Sequence, residues 1–161
     1  MLTQIAGALR RFNRLAAYLS GGVIIAASAI LVWQVAVRYW LKWPTDWEIE
    51  LCVMLLIIST FMSAAHTQAE RGHVAIDMLD TMLSPRVNRW RLLLADTLTF
   101  AFCAFVAWNA WEFFHEAWAD GKTSPSLWGP KLWIPYFFVA FGMTTLTLEL
   151  ALQAARHKEA A

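Results

Sequence analysis

Residues 15–37 read LAAYLSGGVIIAASAILVWQVAV, which is 23 consecutive positions without a charge, bounded by Arg14 and Arg38. A helix rises about 1.5 Å per residue, so a run of this length reaches across the ~30 Å hydrocarbon layer of a bilayer. The same signal recurs along the chain. Nineteen residues separate Glu50 from Glu70, and 17 separate Lys131 from Glu149, with no Asp, Glu, Lys or Arg in either run. A fourth stretch, Leu92–Trp111, holds 20 residues and only one such charge, Asp96. Four runs of this kind in 161 residues leave too little polar chain to solvate a water-soluble fold. Composition agrees: 59% of residues are hydrophobic and 16% charged, against about 45–50% and about 25% in soluble domains. The sequence predicts an all-α integral membrane bundle of four transmembrane helices. They fall near 15–39, 46–69, 86–118 and 131–155, within a single domain spanning 1–161. The first run is too long for the 7–15-residue apolar core of a cleaved secretory signal, so it is read as a retained helix.

Local signals place the boundaries. In residues 1–14, Leu2, Ile5, Leu9 and Phe12 recur at steps of three and four, opposite Arg10, Arg11, Asn13 and Arg14. That pattern predicts a short amphipathic helix on the membrane surface, its cations drawn to lipid headgroups. Pro44 stops the first transmembrane helix. Thr45 and Glu48 have the spacing of a capping box opening the second. Gly72 ends that helix, and residues 74–83 predict a second short surface helix from Ile76, Leu79 and Leu83 on one side. Ser84-Pro85 caps and starts the third. Gly121, Pro125, Gly129 and Pro130 keep residues 120–130 out of any helix, and Pro135 sits early in the last one.

Orientation is read from Lys and Arg near the ends of the spans. The N-terminus, the loop between helices 2 and 3 and the C-terminus hold nine, and the opposite side holds four: Arg38, Lys42, Lys122 and Lys131. Both termini are therefore expected in the cytoplasm. Nine of the ten tryptophans belong to the opposite, outer half, and only Trp90 to the inner. Two explanations stand for this excess: a thick aromatic belt, or a platform for a partner protein.

Groups that could carry chemistry are few and scattered. A net charge of +1 gives no reason to expect a nucleic-acid partner. Cys52 and Cys103 lie inside apolar runs on different helices, too few and too far apart for a metal site or disulfide framework. Buried ionisable groups in a membrane default to function, but Asp96 and Glu149 lie toward the cytoplasmic ends of their helices. Arg38, Glu48, Glu50, Glu112 and Glu116 lie toward outer ends. His66 and His115 sit at opposite ends of their helices, so they do not make a haem-binding pair, and no cofactor is expected. Hydroxyl residues near the midplane, such as Ser59, Ser63 and Thr144, are expected to serve helix packing and interhelical hydrogen bonds. Arg38 and Glu50 flank the first outer loop, either as an ion pair or as separately solvated groups. A membrane bundle without a catalytic centre of its own reads as a subunit of a larger assembly.

The residues from the end of helix 1 onward are similar to a known family. Arg38-Tyr39, Pro44 and Trp47-x-x-Glu50 are followed by Ala64-Ala65 and by Gly72-His73-Val74-x-Ile76-Asp77. Ser124–Pro135, with Leu127, Pro130 and Trp133, leads into the last helix. In order and spacing the chain resembles the small membrane subunit of tripartite ATP-independent periplasmic (TRAP) transporters. One departure is Ser63, where relatives often carry a glycine; it loosens the close helix contact expected there. The resemblance implies a bacterial inner-membrane scaffold in a sodium-coupled secondary transporter of organic acids. Its partners would be a large membrane subunit, which holds the transport sites, and a periplasmic substrate-binding protein. Arg38, Trp47, Glu50, His73 and Asp77 are the expected subunit-interface or structural residues, and Lys122 and Trp128 the expected docking residues for the binding protein. The alternative reading is a membrane anchor for a redox or other enzyme complex.

Overall fold

The computed structural model describes residues 2–43, 47–69 and 85–159. They form four helices: α1 Leu2–Trp40, α2 Trp47–Ala69, α3 Pro85–Ala119 and α4 Trp133–Glu159. The second and third fall within a residue of the predicted bounds, because apolar runs there meet abrupt polar or proline boundaries. Thr45, Gly72, Ser84 and the expected surface helix at 74–83 lie outside the described residues.

The N-terminus corrects the sequence reading. No separate surface helix precedes the first span; the segment is continuous with it in one helix of 39 residues. The arginines at 10, 11 and 14 mark where hydrocarbon would end, but charge does not break a helix. No proline interrupts Leu2–Trp40, so the backbone hydrogen-bond ladder simply carries on.

Among the described residues three helical segments are long and apolar enough to cross a membrane: Leu9–Trp40, Trp47–Ala69 and Trp133–Leu152. Helix α3 has ample length at 35 residues, but its uncharged centre between Asp96 and Glu112 is only 15 residues. At 1.5 Å per residue that is about 22 Å, short of the ~30 Å hydrocarbon layer.

The principal helix contacts are α1 with α2, α2 with α4, and α4 with α3. The helices therefore stand in the order α1–α2–α4–α3, a row rather than a closed ring. Phe12 adds an edge-to-face ring contact to Phe141, linking α1 to α4 at 5.8 Å. Burial follows from position in the row. Helix α1 buries one stripe, Asn13, Ala16, Ser20, Ala27, Gln34 and Val37. These steps of three, four and seven are the spacing of a coiled-coil seam, here built largely from small side chains that let backbones approach. Helix α3 likewise buries Cys103, Ala107, Ala110 and Ala117. The inner helices α2 and α4 are flanked on two sides. Cys103 and Ala107 meet Met143 and Leu150, with Phe61 and Leu146 packed against them, in the apolar core between α3, α4 and α2.

A backbone-to-backbone approach joins α2 and α4 at Gly142. A Cβ placed on Gly142 would stand 2.7 Å from the carbonyl carbon of Phe61 and 2.9 Å from its Cβ, closer still to the carbonyl oxygen. Only glycine fits. The tight helix contact is thus supplied from α4, whatever Ser63 does on α2.

Of the hydroxyl residues, Thr144 meets the expectation of an interhelical hydrogen bond and several others depart from it. Thr60 donates to the Leu56 carbonyl at 2.7 Å, Ser63 to Thr60 at 3.2 Å, Thr145 to Gly142 at 2.8 Å and Thr147 to Met143 at 2.8 Å. Each satisfies itself within its own helix, the cheapest solution where water is absent. Hydrogen bonds also cross between helices. Trp111 Nε1 donates to Thr144 Oγ1 at 3.0 Å, and Cys52 Sγ reaches the Ala27 carbonyl at 3.4 Å.

Candidate partner-binding surface

The α3–α4 connection is an ordered clip at what will be called the outer end, the end opposite the chain termini. Helix α3 stops at a Schellman turn: Gly121 has φ +62°, its N–H donates to the Trp118 carbonyl at 3.4 Å, and Lys122 N–H donates to Ala117 at 3.1 Å. These are the two hydrogen bonds of the motif, and glycine takes the left-handed position without steric cost. Ser124 N–H then donates to the Pro130 carbonyl at 2.9 Å and Leu132 N–H to Lys122 at 3.0 Å, closing a small antiparallel bridge between Thr123 and Lys131. Inside the loop, Gly129 (φ +57°) donates its N–H to Ser126 Oγ at 3.1 Å.

The clip is fastened to α2. Ser126 Oγ donates to the Glu50 carboxylate, and Trp128 packs edge-on against Trp47 with centroids 6.4 Å apart. So four residues from the two ends of the sequence motif, Trp47, Glu50, Ser126 and Trp128, form one small cluster. Glu50 also lies in the first turn of α2, where the positive end of the helix dipole favours a carboxylate. Among the described residues Arg38 makes no ion pair with Glu50. It is exposed near the end of α1, so the clip, and not the first loop, engages that carboxylate.

Lys122 is also engaged. Its ammonium lies 2.5 Å from Glu116 and 3.7 Å from Asp120. The hydrogen bond to Glu116 comes first among the causes that hold Lys122 above the usual lysine pKa. Its charge is thus partly neutralised on its own surface. The residue that stands freest is Leu127, at the loop tip, 93% exposed. In the sequence it stands only within the Ser124–Pro135 motif; its signal is a large apolar residue between loop-forming Pro125 and Gly129.

The outer tryptophans divide. Trp118 and Trp133 meet at 4.8 Å, and Trp111 packs edge-on against Phe114 and Phe137, so these rings belong to the α3–α4 seam. Trp33 and Trp108 are largely exposed on the outward flanks of the row, where lipid or a partner would cover them. His73 and Asp77 lie outside the described residues.

Among the described residues no group of His, Cys, Asp and Glu is placed to hold a metal ion. What the fold and surface define is a helical membrane protein with an open row of spans and an outer clip. The family model of the DctQ component of tripartite ATP-independent periplasmic transporters matches residues 27–159, and the chain belongs to that family. Among individual curated proteins none matches. The family is a transporter component, not an enzyme family, so the chain is a small TRAP transporter membrane subunit. Membership implies a large membrane subunit and a periplasmic binding protein as partners, and an inner-membrane location.

Proposed function

We propose that this subunit is the fixed scaffold of a sodium-coupled transporter of organic acids. In this reading it braces the large subunit within the membrane and receives the binding protein at the outer clip. The observation that carries the reading is the unclosed row. Helix α1 leaves Leu15, Leu19, Ile25 and Val32 exposed, and α3 leaves Leu98, Phe102, Phe105 and Phe113 exposed. Between the helices, the midplane hydroxyl groups already have partners within the chain. Such a molecule offers surface to a partner, and its buried carboxylates, Glu48 and Glu149, lie toward the ends of α2 and of the α4 span and not at the centre. In the assembled membrane protein α3 forms a fourth crossing, its short apolar centre accommodated by packing on α4 and on the large subunit. Both termini face the cytoplasm, in keeping with the nine-to-four cation count. The clip then faces the periplasm, with Leu127 and Trp128 as its contact residues, and His73 and Asp77 brace the inner side.

The test is reconstitution in liposomes under a sodium gradient. The chain alone accumulates no organic acid, whereas the chain with its large subunit and binding protein does. Uptake by the isolated chain would overturn the scaffold reading. Single cysteines near Arg89 and the C-terminus should be shielded from impermeant thiol reagent in whole cells, and one near Lys122 should be labelled.

A further inference from the structure

At the end of the row opposite the clip, α1 and α2 enclose a cavity of about 150 Å³ lined by Arg10, Arg14, His66 and Ala69. Arg10 and Arg14 are four residues apart and so share a face of α1; His66 and Ala69 belong to the last turn of α2. Two arginines and a histidine thus line one cavity, with no carboxylate among its described lining residues, and among the described residues none of the three is ion-paired. The volume is about five times a water molecule's share of the liquid, enough for a compact anion and its remaining hydration. Guanidinium pairs match the oxygens of a phosphate through parallel N–H···O bonds.

Position narrows the ligand. The uncharged run of α1 begins at Leu15, the residue next to Arg14. The cavity therefore lies at the level where hydrocarbon gives way to headgroups, whichever way the protein is inserted. A free carboxylate solute has no reason to concentrate there, and a phospholipid phosphate does. We propose that the cavity is a phosphate site, occupied in the membrane by the headgroup phosphate of an anionic phospholipid. It needs the membrane reading of the chain but neither the scaffold role nor the orientation. The competing role for the two arginines is to offset the negative C-terminal end of the α2 dipole, which needs no ligand.

The experiment is native mass spectrometry of the full chain in non-ionic detergent, titrated with phosphatidylglycerol or with diacylglycerol of the same acyl chains. Wild type should bind phosphatidylglycerol roughly tenfold or more tightly than Arg10→Gln/Arg14→Gln, the loss expected for charge-assisted hydrogen bonds. Diacylglycerol binding should be the same in both. Arg10→Lys/Arg14→Lys should keep part of the affinity, and Arg38→Gln, at the other end of α1, all of it. Competition by inorganic phosphate would assign the site to free phosphate as well; no competition would restrict it to lipid. Equal phosphatidylglycerol affinity in wild type and the double glutamine variant overturns the proposal, as does an equal loss for diacylglycerol. Should the double variant not fold, His66→Ala decides the matter: it removes one wall, and unchanged phosphatidylglycerol affinity would overturn the proposal.

Discussion

Helix α4 is held on its two sides by opposite means. Against α2 the contact depends on a missing side chain, Gly142 on the backbone of Phe61. Against α3, toward the outer end, it depends on large ones, with Trp111, Phe114 and Phe137 in mutual ring contact and Trp118 on Trp133. A backbone cannot yield, whereas rings can re-pack into neighbouring gaps. In lipid this difference matters more than in water, because hydrocarbon competes equally for apolar surface and only close packing and hydrogen bonds favour association. The α2–α4 junction should therefore be brittle and the α3–α4 junction tolerant.

The sharpest way to break that contrast is Gly142→Val. Two branched methyls against the Phe61 backbone should prevent α2 and α4 from docking, with loss of folded protein in detergent. Gly142→Ala should fold with a clearly lowered melting temperature, the overpacking cost being about 1–3 kcal/mol. If both variants melt with wild type, the close approach does not exist in solution.

Next in size is Trp111. Replacement by alanine removes a ring and the hydrogen bond to Thr144, and should cost about 3 kcal/mol. Replacement by phenylalanine keeps most of the ring, so it isolates the hydrogen bond, worth about 0.6 kcal/mol in membrane proteins. Thermal unfolding of the two variants should therefore separate widely. Similar values for both would mean that the ring contributes little and the seam is held elsewhere.

A smaller effect is expected at the clip. Ser126→Ala and Glu50→Gln should each loosen the loop by about 1 kcal/mol, and the pair should cost less than the sum, since both remove one hydrogen bond. Arg38→Ala with Glu50→Gln should instead be additive. Reversal of the two outcomes would restore an Arg38–Glu50 pair and detach the loop from α2.

The smallest effect on stability is expected at Lys122, because its carboxylate partners are exposed and screened by salt. Its raised folded pKa means the pairing is present below the ordinary lysine value of about 10.4 and is lost only as pH rises through the higher folded value. Melting of the Lys122→Glu variant should hence differ little from wild type between about pH 6 and about pH 9. In transport, by contrast, Leu127→Ala with Trp128→Ala should reduce uptake while assembly stays intact, and more so than Lys122→Glu. Normal uptake with the loop tip removed would return the outer tryptophans to an aromatic belt.

Much of this fold was legible in one sequence because a bilayer imposes length and polarity at once. The bounds of α2 and α3 follow from apolar runs that end at charges or at proline. The start of α1 did not, because hydropathy marks where lipid ends and the helix goes on past it. At the site, Trp47, Glu50 and Trp128 were all marked by pattern, yet their meeting was not. Ser126 and Glu50 are 76 positions apart, and nothing local links them. Gly142 was equally opaque, since a glycine in an apolar helix is common and its purpose lies on another helix.

The lengths of the four helices have a consequence for the surrounding lipid. The flanking helices α1 and α3 run 39 and 35 residues, while the inner pair have 23 and 27. At 1.5 Å per residue the flanks measure about 58 Å and about 52 Å, well beyond a ~30 Å hydrocarbon layer. The 23-residue uncharged run of α1 alone covers about 35 Å. Such hydrophobic mismatch is relieved by leaning the helix or by thickening the bilayer beside it, each at a modest free-energy cost per ångström. The uncharged centre of α3, at the other end of the row, is only about 22 Å long, so the excess length belongs to α1 alone. The lipids along the α1 edge of the wall are then set at a thickness that a neighbouring subunit has to match.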